Sequence, residues 1–236
     1  MSKPTWSYGV TTVPSRIDNL LPQTLESLKA AGFPSPRLFI DGCKNPSIYD
    51  KFGLEYTSHS VNMRTFGNWV TALWELYVRD PKAGRYVIFQ DDIITYKNLR
   101  DYLDTVSFGP NQYWNLYTYP VNHAFARKDN PNDSGFFQSN QQGKGALALV
   151  FDREGVLKLL GHEHMLKRPQ DAARGHRSID GGIVDTMRKQ GCREMIHLPS
   201  LVQHIGTMSS MGNGLQELAD TFRGENFDAT ELIKEH

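Results

Sequence analysis

Runs of apolar residues along this 236-residue chain change period several times, and each change predicts an element. Trp6 to Val13 is β-branched and aromatic, the composition of a strand, and Pro14-Ser15-Arg16 breaks it. Asp18 or Asn19 is placed to cap a helix whose apolar positions Leu20, Leu21, Leu25, Leu28 and Ala31 recur at helical spacing, closed by Gly32. Arg37 to Ile40 is a second strand ending on the turn pair Asp41-Gly42, and Leu54 to Ser60 is a third, weaker one. Asn62 to Gly67 reads as a loop, after which Asn68 caps a helix bearing Val70, Leu73, Trp74 and Tyr77, stopped by Asp80-Pro81. The fourth strand, Arg85 to Ile94, runs apolar into two adjacent carboxylates, Asp91 and Asp92, and then turns apolar again.

Lys97 to Val106 predicts a short helix and Tyr113 to Tyr119 an aromatic strand. Pro120 to Gln142 is polar throughout and reads as a long functional or mobile loop. Gly145 to Phe151 is an apolar strand, and Asp152 caps a helix that ends at Leu160-Gly161. A basic loop, His162 to Ser178, leads to a helix over about Asp180 to Gln190. Strands follow at Glu194 to Leu198 and Leu201 to Ile205, then a Gly/Ser/Met loop from Gly206 to Gly214 and a tail of one or two amphipathic helices. Strands alternating with helices argue an α/β fold, with a mostly parallel central sheet and helices on both faces. In such sheets ligands bind at the carboxyl ends of the strands, where Thr11-Thr12, Asp41-Gly42 and Gln90-Asp91-Asp92 fall, so one shared crevice is expected. With no internal repeat and no linker, the chain reads as one domain over 1–236.

Composition narrows the partners. Lys+Arg and Asp+Glu balance at 26 each, so no global field advertises nucleic acid or membrane, although a local basic patch stays open. Cys43 and Cys192 are far apart and form no metal or redox motif, which suits reduced thiols in a cytoplasm. No apolar run reaches the length of a membrane span, and Met1-Ser-Lys-Pro4 opens no signal peptide. A cytoplasmic protein is expected, in host cytoplasm if it is phage-encoded.

The chemistry starts from Asp91 and Asp92. Carboxylates at depth are paired or bound to metal, and oxygen ligands suit Mg²⁺ or Mn²⁺ sharing a substrate's phosphates. The plain alternative is a polar strand end or a helix cap. Adjacent acids cannot be the pair of a glycoside hydrolase, whose carboxylates stand about 5 Å or more apart.

The order of first strand, Asp-Gly turn, Asn-Trp helix and Tyr86-Val-Ile-Phe-Gln-Asp-Asp92 resembles a GT-A-fold glycosyltransferase, with Gln90-Asp91-Asp92 where that superfamily carries Asp-x-Asp. Leu198-Pro-Ser-Leu-Val-Gln-His-Ile-Gly-Thr-Met-Ser-Ser210 resembles the Pro-Ser-Leu-x-Gln-His-x-Gly-x-x-Ser-Ser segment of the N-acetylglucosaminyltransferase IV family, and it is the more specific match. Absence of a membrane stem makes the chain similar to small phage or bacterial transferases.

The resemblance implies a single GT-A (Rossmann-like) domain. Its nucleotide-sugar half covers about 5–120, its acceptor half about 121–210 and a helical tail about 211–236. It implies metal-dependent transfer of a sugar from a nucleotide donor, a UDP-sugar, to an acceptor hydroxyl with inversion. Asp92 and His204 would hold Mn²⁺ or Mg²⁺, with Asp91 close to the sugar or ribose. Thr11, Thr12 and Arg16 would serve the base and phosphates, Asp41 the base or ribose and Arg64 the diphosphate, with Asn68 completing the donor-binding set. Each has an ordinary alternative: turn threonines, a solvated arginine, a turn aspartate, a core histidine. Gln90 departs from the family's first Asp and removes one negative charge near the cation.

Asp180 is the expected base. It opens a helix, where a carboxylate is also a natural cap, but Gly181-Gly182 after it suits close backbone approach. Asp185 is the runner-up. Gly143-Lys144-Gly145-Ala146 precedes a strand, so it is no P-loop; it reads as a backbone approach beside the sugar, with Lys144 a phosphate candidate. Trp114, Tyr117 and Tyr119 suit core and donor-pocket wall, and Phe136 and Phe137 suit stacking on a sugar or base. Lys167, Arg168, Arg174 and Arg177 would line an acceptor mouth fit for a phosphodiester backbone, so a hydroxymethylated pyrimidine in phage-type DNA leads the acceptors, a glycan or surface polysaccharide following closely. From other classes, a nucleotidyltransferase lacks its Gly/Arg/Lys-rich loop after the first strand, and a non-catalytic nucleotide-sugar binder would keep the pocket without needing Asp180.

Overall fold

A computed structural model describes residues 3–129, 134–166, 179–206 and 217–235. Among these residues ten strands form two sheets: β1 (Trp6–Thr12), β2 (Arg37–Ile40), β3 (Tyr56–Ser58), β4 (Arg85–Gln90), β5 (Ile93–Thr95), β6 (Gln112–Asn115), β7 (Gly135–Gln138), β8 (Ala148–Phe151), β9 (Arg193–Leu198) and β10 (Val202–His204). The central sheet has eight strands in the order β3-β2-β1-β4-β8-β6-β9-β7. β1, β2, β3 and β4 are mutually parallel, β6 pairs parallel with β9, and β8 and β7 run against their neighbours. β5 and β10 form a separate antiparallel pair.

The central strands are apolar on both sides because both faces are covered. Along β4, Val87 and Phe89 join one core cluster while Tyr86 and Ile88 join the other, and β8 divides in the same way. On the first face lie α1 (Leu20–Ala30), α3 (Leu99–Thr105) and the C-terminal segment, whose Phe222 stacks on Tyr96 at 4.8 Å. On the second lie α2 (Arg64–Arg79), α5 (Arg153–Leu160) and α7 (Ile179–Lys189), contributing Trp69, Val156, Ile183 and Met187. The remaining α-helices among the described residues are α4 (Pro120–Asp129) and the single turn α6 (Glu163–Leu166). No helix among the described residues is long and apolar enough to cross a membrane.

Caps agree with the sequence at α1, where the Asn19 side chain accepts from Leu20 N, and at α5, where Asp152 accepts from Gly155 N. Several expectations are corrected. α2 begins at Arg64, a turn before Asn68, so Asn68 is not a cap; it is buried inside the helix and donates Nδ2 to Phe39 O at 3.0 Å. The aromatic strand stops at Asn115, and the polar stretch after Tyr119 folds into α4 and β7 instead of remaining a loop. Phe136 therefore stacks on Trp114 at 4.4 Å between centroids, and Phe137 packs beside Ile196 and Leu198, so neither is an open stacking platform. The third strand covers only Tyr56–Ser58, and among the described residues the tail carries a 3-10 helix, Ala229–Glu235, and no α-helix.

Candidate functional site

β1, β2 and β4 are adjacent and parallel, so their carboxyl ends open on one edge. Thr11 pairs with Gln90, and Thr12 with Ile40, just before Asp41. Past Gln90 the ladder ends, so the alternation that would send consecutive side chains to opposite faces ends too. Asp91 and Asp92 both meet Arg16, which stands at the end of the short 3-10 turn Pro14–Arg16 following β1. Arg16 Nη1 bonds Asp91 Oδ1 and lies 2.7 Å from Asp92 Oδ2.

His204 arrives from the other end of the chain. β10 pairs antiparallel with β5, setting His204 opposite Ile93, and Ile205 N donates to Asp92 O at 2.8 Å. Its Nε2 lies 3.1 Å from Asp92 Oδ2, with both side chains 2% exposed. A Cβ on Gly206 would stand 2.9 Å from His204 Cε1 and 3.3 Å from Asp92 Oδ2, so a larger residue there would press on this pair. β5 is gripped from behind by α1: Thr24 Oγ1 donates to Ile93 O at 2.9 Å and accepts from Ile93 N at 3.1 Å.

The two acids are pushed apart electrostatically. Burial drives the Asp91 carboxyl up, against the pull of Arg16, to about 6. Burial also acts on Asp92, but the hydrogen bond from His204 and the Arg16 charge outweigh it and hold that carboxyl below its usual range. Asp91 Oδ2, Asp92 Oδ1 and His204 Nδ1 are buried without a hydrogen-bond partner.

A divalent ion is tested by these groups. Among the described residues, no group of three or more His, Cys, Asp and Glu gathers as a ready ligand cage. One carboxylate and one imidazole do converge, with bare carboxylate oxygens beside them. That donor set fits Mn²⁺ or Mg²⁺, which take part of their coordination from substrate phosphates and water.

The remaining candidates sort by position. Thr12 is buried beside Asp91, and Thr11 Oγ1 lies 3.4 Å from Phe89 O. Asp41 is 3% exposed and accepts from Met63 N at 2.7 Å, fastening the residue before α2 to the end of β2. Arg64 opens α2 with φ 61°, exposed, its N–H donating to Asn62 Oδ1 at 2.8 Å. Asn68 points into the interior toward β2 and not to the edge.

Asp180 sits in the first turn of α7, and its Oδ2 accepts from Gly145 N at 2.8 Å. Burial raises its pKa. Gly143 and Gly145 both have positive φ, and a Cβ on Gly143 would fall 2.6 Å from Asp180 O, so this turn approaches α7 as closely as only glycine permits. Lys144 Nζ lies 5.7 Å from the centre of the Tyr119 ring. Gln90 joins the turn from the acid side: its N–H donates to Leu147 O at 2.8 Å and its Nε2 to Ala146 O at 2.9 Å. The Gly143–Ala146 stretch is thus a strap between the acid pair and Asp180. Asp185 lies a turn further on, surface-facing and 3.2 Å from Arg188.

Glu194 was not singled out from the sequence. On β9 it is 2% exposed, accepting from Ser139 Oγ at 2.6 Å and Asn115 Nδ2 at 3.2 Å. Asn115 Nδ2 also donates to Lys144 O at 3.0 Å, so Glu194 braces the strap from below. Its pKa is raised by burial, and nearby Asp180 adds to the rise. The available signal was an acid flanked by Met195, Ile196 and Leu198 in a strand, the same signal that exposed Asp91 and Asp92. Lys167, Arg168, Arg174 and Arg177 lie outside the described residues, as do residues 207–214 of the Gly/Ser/Met loop.

No family model matches the chain, and no curated protein matches it. Among solved structures it is similar to a crystal structure of GalNAc-T7 with UDP, GalNAc and Mn²⁺, with a TM-score of 0.58 at 8% sequence identity. The match covers 99% of this chain and 48% of that one, so the chain spans about half of that neighbour's length. At that identity the likeness concerns the fold, a GT-A type of Rossmann-like sheet.

Proposed function

We propose that this chain is a metal-dependent glycosyltransferase that moves a sugar from a nucleotide donor, a UDP-sugar, to an acceptor hydroxyl with inversion. One observation carries the reading. In a fold shared with a structure holding UDP and Mn²⁺, the ends of three parallel strands bring Thr12, Asp41 and the acid pair together, where Arg16 and His204 join them. Asp92 and His204 would hold the ion, which when bound supplies Lewis-acid stabilisation of the charge developing on the departing diphosphate. Arg16, Arg64 and the threonines line the donor side, with Asp91 and Asp41 toward the sugar and nucleoside.

Asp180 would take the proton of the acceptor hydroxyl as its oxygen attacks the anomeric carbon and the bond to the diphosphate breaks. A pKa raised by burial makes that carboxylate a stronger base than one in water. The Gly145 N–H aims it, and the Gln90–Ala146 contact ties it to the donor site. Asn68, buried against β2, is left as a packing residue in this reading.

The acceptor favoured here is a glycan hydroxyl, since the neighbouring structure contains GalNAc. The alternative of modified DNA rests on the basic segment from Lys167 to Arg177 and is separated by salt. A phosphodiester acceptor makes turnover fall steeply as ionic strength rises, whereas a neutral glycan does not. The central test is turnover of a UDP-sugar panel with Mn²⁺. Asp92→Ala is expected to abolish transfer and Asp180→Asn to remove it while retaining UDP binding. Full activity of Asp92→Ala with metal in excess refutes the assignment, and donor binding with neither transfer nor hydrolysis favours a non-catalytic binder.

A further inference from the structure

We infer that Arg16 is a resident counter-cation that must leave the acid pair before a divalent ion can bind there, so that this side chain adds its own share to the dependence of metal and nucleotide on one another. The inference builds on the donor site proposed above. Arg16 Nη1 bonds Asp91 Oδ1 and stands 2.7 Å from Asp92 Oδ2. That same Oδ2 faces His204 Nε2 at 3.1 Å. The two side chains proposed as ligands therefore converge on an oxygen that the guanidinium already holds. An ion and the guanidinium cannot share it, and an ion at the bare Oδ1 of the same carboxylate would still stand beside a second cation where water is excluded and repulsion is strong.

The presence of Arg16 has a simple cause. Asp91 and Asp92 expose only 3% and 2% of their side chains, and buried carboxylates need a counter-charge. Arg16 lies outside the strand ladders, in a three-residue turn with no buried residue, and its side chain keeps 12% of its surface exposed. A diphosphate presents two neighbouring anionic groups, as the acid pair does, and suits the guanidinium's fork of donors. A nucleotide diphosphate thus offers the guanidinium a new partner as it departs, whereas the metal alone offers none. Binding of each ligand then favours the other, by the same factor in both directions.

The test is Mn²⁺ binding, read from the electron paramagnetic resonance of the free ion, with and without UDP, on the full chain and its Arg16→Gln and Arg16→Lys variants. UDP is expected to tighten Mn²⁺ binding to the wild type about tenfold or more. Arg16→Gln should bind Mn²⁺ alone about tenfold more tightly than wild type and keep only that part of the UDP effect which the phosphates' own coordination of the ion supplies. Near-ultraviolet circular dichroism checks the fold. If Arg16→Gln does not fold, Arg16→Lys, which keeps the positive charge but loses the planar guanidinium, should show the same change in smaller degree. Variants that bind Mn²⁺ no more tightly than wild type, while UDP still strengthens binding, overturn the role of Arg16 and leave the donor site standing. Failure of every form to bind Mn²⁺ even with UDP overturns both.

Discussion

At position 90 the side chain has to donate. Gln90 Nε2 bonds the Ala146 carbonyl at 2.9 Å, and a carboxylate there would face that oxygen with nothing to give. Glutamine at this position therefore has a local cause: the residue ties the strand end to the strap that carries Gly145. Gln90→Glu keeps the shape and inverts the role, so it should destabilise the fold by about 1–3 kcal/mol. It should also lower transfer more than Mn²⁺ binding, because the strap aims Asp180 while the ion site lies on the other side. Urea denaturation and paired turnover and Mn²⁺ titrations check both parts.

Glu194 yields a pH prediction at the same scale. Burial raises its pKa above the ordinary value of 4.5, so the native state holds this proton more tightly than the unfolded chain does. For a raised carboxyl the sign is that stability is greatest below the unfolded pKa and falls as pH climbs from there through the folded pKa. Glu194→Gln cannot titrate and keeps the shape, its single acceptor oxygen serving one of the two donors, Ser139 Oγ or Asn115 Nδ2, which shifts stability by an amount independent of pH. Its stability relative to wild type should improve from about pH 4.5 upward and be level below. Denaturation midpoints across this range, showing instead a difference independent of pH, would contradict the buried-carboxyl account.

Among the elements, the small β5–β10 sheet is the joint that makes the site. Residues 93–95 are too few to hold a ligand in place unaided, and α1 supplies the support through Thr24, which is fully buried. Thr24→Val keeps the volume and strips both the donor to Ile93 O and the acceptor for Ile93 N. With two buried backbone groups left unsatisfied, the loss of stability should be about 2–4 kcal/mol. Mn²⁺ affinity in the presence of UDP should fall with it, since His204 stands opposite Ile93. Wild-type affinity in a destabilised variant would show that β5 does not position His204.

For the molecule as a whole, the proposed donor site predicts that a nucleotide bridging the strand ends and His204 stabilises the native state. At about a hundredfold excess over its Kd, UDP with Mn²⁺ should add about 2.7 kcal/mol. In a chain of this size that raises Tm by about 5–11 °C, with a much smaller rise when EDTA replaces the metal. Equal shifts with and without the metal would remove the ion from the donor site.

The sequence alone was enough for whatever depends on near neighbours. Alternating strands and helices, the Asn19 and Asp152 caps, the apolar β4 running into two acids and the glycine pair flanking Lys144 are all matters of spacing within a few residues. Local pattern failed where a tertiary partner outweighed it. Asn68 resembled a cap but is buried against Phe39, and Phe136 sat in a polar stretch but stacks on Trp114. The site itself was legible only as separate pieces. Strand order alone could bring Arg16 to Asp91 across 75 residues and His204 to Asp92 across 112, because a buried charge is answered by whichever group the fold carries to it. Paired acids in the sequence implied a cation; the tertiary structure decided that the one in place is Arg16.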